Sequence, residues 1–459
     1  MHMTDLEGIT NHMIDLNSSD ASIMNILIHL YKLFKSKTEK NILEKLSRSI
    51  IAEVRKSRIP ATSDVIQDLL AVEKVNLSVG DQGVGCRGLG DFVVHESITR
   101  MASSGKIAYL GPQSMDDAGA ILLEESQGNV FIVTKMEGMH SRLSNYPFIA
   151  GFHVTRACLR DLLVKGSRPV SIMVDIHLGD DCDVSKLFDF MAGVTCVSEL
   201  SGVPITAGST LRIGGDMVIG DRITGGIAGV GVCDKILARK DIKMNCDIIM
   251  TEGAGGGTIA TTAIYNGQPD KIIHTLNIKF IQAMNVLLEN PQLMEHVYCC
   301  SDVTNGGLRG DIFEILKSCD LGAEIIEQNV SDLVNATILQ MLDETKTDYL
   351  GVSLDALLIF CEPEVTDHII VSLNAKSIKA MKIGNCTQDT AIILHGVDGS
   401  VKKIIPRFRE SAYTPIKKVI GEKKDKSSQD QMNALVLIAY QKAMEKKQRI
   451  YDFITQTKS

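Results

Sequence analysis

The hydrophobic positions of this chain change their period twice. From Asp20 to about Leu70 they recur every three or four residues. Ile23, Ile26, Leu27, Leu30, Tyr31 and Phe34 form one stripe; Ile42, Leu43, Leu46, Ile50 and Val54 form a second. These stripes predict two amphipathic helices with Asp20 and Thr38 as N-caps. Pro60 sets off a third, short helix from Asp64 to Leu70. Between Gly80 and Val232 the pattern becomes short apolar runs broken by glycine. Ala120 to Leu123 and Val130 to Val133 flank Gln127-Gly128-Asn129 and predict a hairpin. A helix is expected from about Phe148 to Lys165, a strand from Val170 to Ile176, and a helix from about Val184 to Leu200. Strands around Val203 to Thr206, Met217 to Ile219 and Ile223 to Val232 follow. The same alternation restarts at Asp247 with Ile248 to Met250 and a glycine-rich loop. It passes through helices near Lys271 to Leu288 and Asp311 to Lys317 and ends near Leu394. After Pro406 a Lys-rich linker, Glu422 to Ser428, leads to a helix striped by Met432, Leu435, Val436, Ala439, Ala443 and Ile450.

Two successive mixed blocks imply an α+β architecture of two units rather than one doubly wound sheet. The expected organisation is a helical N-terminal extension (1–78), a first α+β domain (79–235), a second (236–405), and a basic linker with a C-terminal helix (406–459). At 459 residues the chain has length for about three domains.

Composition narrows the class. A chain 44% hydrophobic and 23% charged has the balance of a soluble globular protein. The eleven cysteines are scattered singly apart from Cys299-Cys300, with no C-x-x-C and no zinc spacing, which points to a reducing cytoplasm. Asp5, Glu7, Asp15 and Asp20 give the N-terminus the wrong sign for a signal peptide. No run reaches the roughly 18 apolar residues that span a bilayer. A soluble, cytoplasmic protein with no membrane partner is expected.

Charge is uneven. Ten basic and ten acidic residues precede Asn76, and fourteen basic against six acidic lie from Lys402 onward. The middle therefore keeps 24 basic and 40 acidic residues. A core this acidic is a poor partner for duplex nucleic acid, whose phosphates need the opposite sign. It suits a protein that collects cations and uses them to receive polyphosphate. The basic tail reads as a solvated helix docked on that core; contact with RNA or an acidic protein partner is the sharper alternative.

The chemistry candidates sit on turns. Asp116 and Asp117 lie between Gly111-Pro112 and an apolar run, and Asp161 stands among Leu159, Leu162, Leu163 and Val164. Mg²⁺ takes a few carboxylates together with phosphate oxygens and water, so these acids suggest a metal-bound nucleotide. The bland readings are an Asx turn for the pair and, for Asp161, a surface partner in Arg160 or Lys165. Asp302, in Ser301-Asp302-Val303-Thr304-Asn305-Gly306-Gly307-Leu308, is the fourth candidate ligand, with Thr304 and Asn305 placed as helix caps. Gly83, Gly85 and Gly88, in the run from Gly80 to Asp91, form either a flap over a nucleotide or a plain linker. Gly253, Gly255, Gly256 and Gly257 open a helix N-terminus, where an anion contact and a tight turn are both open. Neither G-x-G-x-x-G nor G-x-x-x-x-G-K-[ST] occurs there. His140 could serve as acid or base, or be structural.

Taken in order, Asp116-Asp117-Ala118, the run Asp161 to Pro169 and Asp302-Val303-Thr304-Asn305-Gly306-Gly307-Leu308 resemble the aminoimidazole ribonucleotide (AIR) synthase superfamily, which includes thiamine-monophosphate kinase, selenophosphate synthetase and the hydrogenase-maturation dehydratase. The resemblance covers Gly80 to Leu394. It implies the two-domain AIR synthase-like fold, a homodimer formed through the N-terminal sheet, and ATP with Mg²⁺ in a cleft. It also implies phosphoryl transfer from ATP to a small-molecule substrate. Carried over residue by residue, Asp116, Asp117 and Asp161 become catalytic, and the same three with Asp302 become metal ligands. Gly83, Gly85, Gly88, Asp302, Asn305, Gly306 and Gly307 become cofactor-binding. Two departures bear on catalysis: Lys135 stands where an aspartate is expected, and Ser209 replaces the acid of a G-G-D-T-type motif. They motivate the alternative of a nucleotide-binding regulatory or scaffold protein with reduced catalysis. The terminal extensions match no relative and suggest a protein partner or a substrate gate.

Overall fold

The structure is a computed structural model and describes residues 3–103, 108–125, 128–410 and 412–456. The N-terminal arm begins with strand β1 (Met3–Asp5) and continues through helices Leu6–Asp15, Asp20–Phe34 and Lys40–Ser57. The expected caps shift by one residue: the Ser19 hydroxyl accepts from the Ser22 N–H, and Glu39 occupies the N-cap of the third helix. Asp20 thereby enters the first turn, where a carboxylate meets the positive end of the helix dipole. Ile23, Leu27, Tyr31, Leu43, Ile50 and Val54 bury their stripes against Leu6 and Ile219. The arm is anchored to the body. β1 pairs antiparallel with β6 (Val218–Gly220), and Lys35 Nζ lies 2.7 Å from both Asp180 and Asp181.

The first α+β unit is a five-stranded sheet of β2 (Gly119–Glu125), β3 (Gly128–Gly138), β4 (Arg168–Leu178), β5 (Ile205–Arg212) and β7 (Ile223–Cys233). Its order is β2-β3-β7-β4-β5, antiparallel throughout except for the parallel β4–β5 pair. The expected hairpin is β2–β3, and its turn residues 126–127 lie outside the described residues. Helices Pro147–Leu163 and Val184–Ser201 cover one face. They cross closely because Gly151 and Gly193 carry no Cβ; one added at Gly151 would strike the Phe190 carbonyl. Ile121, Leu123, Met136, Val170 and Leu211 of this sheet stay exposed.

The second unit is a seven-stranded sheet: β8 (Asp247–Thr251), β9 (Val297–Val303), β10 (Gly322–Ile326), β11 (Ala356–Cys361), β12 (Ala380–Thr387), β13 (Ile392–His395) and β14 (Val401–Lys403). The order is β14-β13-β10-β12-β8-β11-β9. Every residue of β8 and β11 is buried, as for strands covered on both faces. The two units share a core in which Leu159, Val174 and Phe190 join Ile249, Phe280 and Leu357. The helix expected over Lys271 to Leu288 divides into a 3-10 stretch, Pro269–Thr275, and an α-helix, Lys279–Leu288. The break follows from two contacts: Arg156 Nη1 takes the Thr275 carbonyl at 2.7 Å, and Asn277 Oδ1 accepts from the Lys279 N–H at 3.1 Å.

Beyond β14 the chain returns across the loop from Gly83 to Gly90. Arg407 and Phe408 carbonyls accept from the N–H groups of Leu89 and Gly90. It then forms the long helix Lys426–Gln456, which absorbs the end of the expected linker. That helix lies along helices Leu89–Ala102 and Asp64–Leu70, and Arg449 meets Asp68 at 2.7 Å. The basic tail therefore docks on its own chain. Among the described residues all eleven cysteines are free, and no helix is long and apolar enough to cross a membrane.

Candidate functional site

A cleft of about 940 Å³ lies between the two units, and Asp116, Asp117, Asp161 and Asp302 all line it. The geometry follows from local backbone. Met115, in the left-handed region at φ 51°, turns the chain so that the following aspartates face inward. Asp161 sits in the last turns of helix Pro147–Leu163, and Asp302 near the end of β9. Four acids separated by up to 186 positions thus share one wall system, with side chains between 1% and 7% exposed.

Each acid is already matched by a base. Asp116 Oδ1 pairs with Lys165 Nζ, and its Oδ2 accepts from the Arg239 N–H at 3.0 Å. Asp117 takes Arg239 Nη2 at 2.6 Å, Lys165 Nζ at 3.1 Å and the Ser301 hydroxyl at 3.0 Å. Asp161 meets Lys135 Nζ at 2.7 Å and Arg160 Nε at 3.1 Å. Asp302 Oδ2 lies against Arg160 Nε without hydrogen-bond alignment. Arg160 also reaches Asp355 at 2.6 Å, and Glu314 joins Arg87 at 2.7 Å to Arg239 at 3.4 Å.

These pairings set the charge states. Burial pushes Asp117 up, but Arg239 and Lys165 outweigh it and hold the carboxyl well below its ordinary range. Asp161 is likewise held down, by Lys135 and Arg160 against burial. Asp302 goes the other way: burial, with the charges of Asp161 and Asp117, raises it above the carboxylate range despite Arg160. Arg160 is thus shared by two acids shifted in opposite directions, Asp161 down and Asp302 up. Asp311, also buried, is pushed up to about 7 although Arg87 and the Thr304 N–H oppose the shift.

The arrangement answers whether Mg²⁺ fits. Asp116 and Asp117 do not offer it a place, because the fully buried Lys165 ammonium stands between them and cannot turn to solvent. Asp302, already against Arg160 and pushed up by burial and its acidic neighbours, is the weaker ligand. Asp161 is the one ionised acid of the four whose lysine partner, Lys135, is partly exposed, at 21%. Among the described residues no group of three His, Cys, Asp or Glu stands close enough to hold a metal.

The glycines divide. Gly85 and Asn305 line the cleft, and Asn305 Nδ2 donates to the Gly85 carbonyl at 3.0 Å. Gly83 and Gly88 instead face the returning C-terminal segment: a Cβ at Gly83 would meet Arg409, and one at Gly88 the carbonyls of Arg407 and Phe408. Gly306 packs on Arg87 and Gly307 on the backbone of Leu350 to Val352. These four serve close approach of chain segments, so the loop from Gly80 to Asp91 is clamped rather than a free flap. Gly256 and Gly257 do line the cleft. Ser209 lies exposed on edge strand β5 and does not.

Sequence reasoning missed Arg239, Glu314, Asp355, Tyr413 and Lys417, all of which line the cleft. Two of them left a trace. Arg239 ends the apolar run Ile236-Leu237-Ala238, and Asp355 interrupts Leu354 and Ala356-Leu357-Leu358, places where a lone charge needs a buried partner.

Residues 115–233 match the family described as AIR synthase related protein, N-terminal domain, and residues 246–396 match its C-terminal domain. The chain is 39% identical over 462 positions to an uncharacterized protein of Methanocaldococcus jannaschii, with 99% of each covered. Its fold is similar to that of hydrogenase maturation protein HypE in complex with ATP (15% identity, TM-score 0.52, 71% of this chain and 96% of that one). It is equally similar to AaThiL complexed with AMPPCP and TMP (14% identity, TM-score 0.51, 69% and 96%). At such identities the likeness establishes the fold alone.

Proposed function

Because this chain belongs to the AIR synthase related protein family, we propose that its cleft binds ATP and passes the terminal phosphoryl group to a small-molecule acceptor. The observation that carries this reading is the convergence of Asp116, Asp117 and Asp161 from the first unit with Asp302 from the second. The ATP and AMPPCP bound by the two structural neighbours support it. A cleft of about 940 Å³ is at the upper end of the roughly 300–1,000 Å³ usual for small-molecule sites, which favours a nucleotide with a small acceptor over a polymer.

The chain's own residues do the electrostatic work. Lys135 and Arg87, 21% and 27% exposed, can turn from their carboxylates toward incoming phosphates. Arg239 and Lys165 keep the Asp116–Asp117 turn rigid, so the site is preorganised rather than assembled on binding. Mg²⁺ arriving with the nucleotide would find its carboxylate in Asp161 and supply further charge neutralisation. The exposed apolar face of the first sheet supports a homodimer, and the C-terminal helix leaves Tyr451 exposed toward a partner.

One observation favours a second reading. Cations already saturate the Asp116–Asp117 pair, as suits a nucleotide-binding scaffold without catalysis. Calorimetric titration with ATP, with and without Mg²⁺, followed by an assay of ADP release, separates the two. The first reading expects binding and ADP release, with release lost in Asp161→Asn. Binding without release favours the scaffold, and no binding under either condition overturns both.

A further inference from the structure

We propose that the end of the cleft nearest the C-terminal segment is an oxyanion site, receiving a phosphate or carboxylate of the acceptor through Arg142, Lys417 and the backbone N–H groups that open helix Gly257–Tyr265. The proposal deepens the functional reading above, resting on it for the role of the cleft and extending it to the chemical class of the second substrate.

The charge pattern carries the argument. Arg87, Arg156, Arg160, Lys135 and Arg239 line the same cleft, and each has a carboxylate partner within 4 Å. Arg142 and Lys417 line it too, and among the described residues neither has an ion pair. Each lies over an aromatic ring: Arg142 is 4.1 Å from the Tyr265 centroid, and Lys417 Nζ is 4.2 Å from that of Tyr413. Burial pushes the Lys417 ammonium below its ordinary range, opposed by the nearby Cys86 thiol and aided by the charge of Arg142. Two neighbouring half-buried cations without a counter-ion are costly unless a ligand supplies one.

Their surroundings are built and rigid. Tyr413 is 2% exposed, and its hydroxyl lies 2.7 Å from His140 Nε2. The Thr261 hydroxyl donates to the Gly257 carbonyl, so His140 Nδ1 donates to Thr261 and Nε2 is left to accept from Tyr413. That dyad, with Glu410 bound through both oxygens to Arg309 at 2.9 and 3.0 Å, fixes the segment that carries Lys417. Opposite stand Gly256 and Gly257, at the start of a nine-residue helix whose first N–H groups have no intrahelical acceptor. A second feature there also lacks a partner. Among the described residues His153, 5% exposed, has no hydrogen-bond partner at Nδ1, which lies 3.8 Å from where a Gly256 Cβ would stand. Its Nε2 donates to Thr275, whose own hydroxyl is given to the Ile272 carbonyl, so Nδ1 is an acceptor. An acid group seated on the cations beside a hydroxyl facing His153 satisfies both sets. Lys417 and Tyr413 lie outside residues 246–396, so this end of the cleft is particular to the returning segment.

The test is calorimetric titration of the full chain with inorganic phosphate and, separately, with ATP. The proteins are wild type, Arg142→Gln/Lys417→Gln, and a control with the exposed neighbours Lys418→Gln/Lys423→Gln. At least a tenfold loss of phosphate affinity is expected in the first variant, with less than twofold change in the control and in ATP affinity. Equal phosphate affinity in the first variant and wild type overturns the proposal, and so does an equal loss in the control. A parallel tenfold loss of ATP affinity overturns it as well, by assigning the cations to the nucleotide. Absence of ATP binding in wild type, with phosphate binding still lost in the first variant, would fail the functional reading and leave the oxyanion site standing.

Discussion

Replacing Asp116 by Asn removes one negative charge from the interior and leaves Lys165 behind. Lys165 has no solvent exposure; its Nζ is held by Asp116 Oδ1 and, at 3.1 Å, by Asp117 Oδ2. Asp117 is meanwhile shared with Arg239 at 2.6 Å. Breaking a buried pair by removing one partner costs about 3–5 kcal/mol, because the surviving charge is uncompensated. Asp117 still faces the ammonium, which places Asp116→Asn at about 3 kcal/mol. Asp116→Asn/Lys165→Met removes the stranded charge and replaces the stem with a side chain of similar length. At least about half of the loss, roughly 1.5 kcal/mol, is then recovered, so the two substitutions are not additive, as expected of contacting residues. The chain has no tryptophan, so urea unfolding is followed by far-UV circular dichroism. A single-variant cost below about 1 kcal/mol, or additive single and double variants, would refute the buried-pair reasoning. The same argument makes Asp116→Asn a poor catalytic test, since lost turnover could be lost fold; Asp161→Asn is cleaner because its partner Lys135 can reach water.

Three further outcomes are expected. Lys135→Met strips Asp161 of its partly exposed partner, so Mn²⁺ affinity, read by electron paramagnetic resonance, rises at least tenfold; unchanged affinity would show that Asp161 is not the accessible carboxylate. Asp311, raised by burial to about 7 from 3.8, stabilises the fold below pH 4 and loses that contribution as pH rises toward 7. His140, lowered by burial to about 4 from 6.5, stabilises above pH 6.5 and loses its contribution as pH falls toward 4. The two slopes, each up to about 1.4 kcal/mol per pH unit, oppose one another between pH 4 and 6.5. Relative to wild type, Asp311→Asn should make stability rise more steeply with pH in that window, and His140→Gln less steeply; parallel curves for all three proteins would discount both shifts. Tyr413→Phe leaves the buried His140 Nε2 without its donor and lowers stability by about 1–2 kcal/mol in urea unfolding, whereas an unaffected midpoint would mean the dyad does not hold the segment.

Much of this protein was legible along the chain. Hydrophobic period is a local property, so helices Asp20–Phe34 and Lys40–Ser57, the β2–β3 hairpin and helices Pro147–Leu163 and Val184–Ser201 fell within a few residues of expectation, whereas helix Leu6–Asp15 was not anticipated. Turn chemistry is local too, which is why Asp116, Asp117, Asp161 and Asp302 could be singled out and do meet in one cleft. What those acids face is not local. Lys165 is 49 positions from Asp116 and Arg239 lies 122 from Asp117, and no spacing rule joins them. Nor could period or motif show that Gly83 and Gly88 make room for Arg407 to Arg409, more than 300 residues away, or that Tyr413 and Lys417 close the cleft. Sequence by itself located many of the elements, the order of the two mixed units and the carboxylates, because each depends on neighbours in the chain. Tertiary structure alone decided their charge state, since a buried carboxylate takes its ionisation from whichever cation the fold brings within about 4 Å.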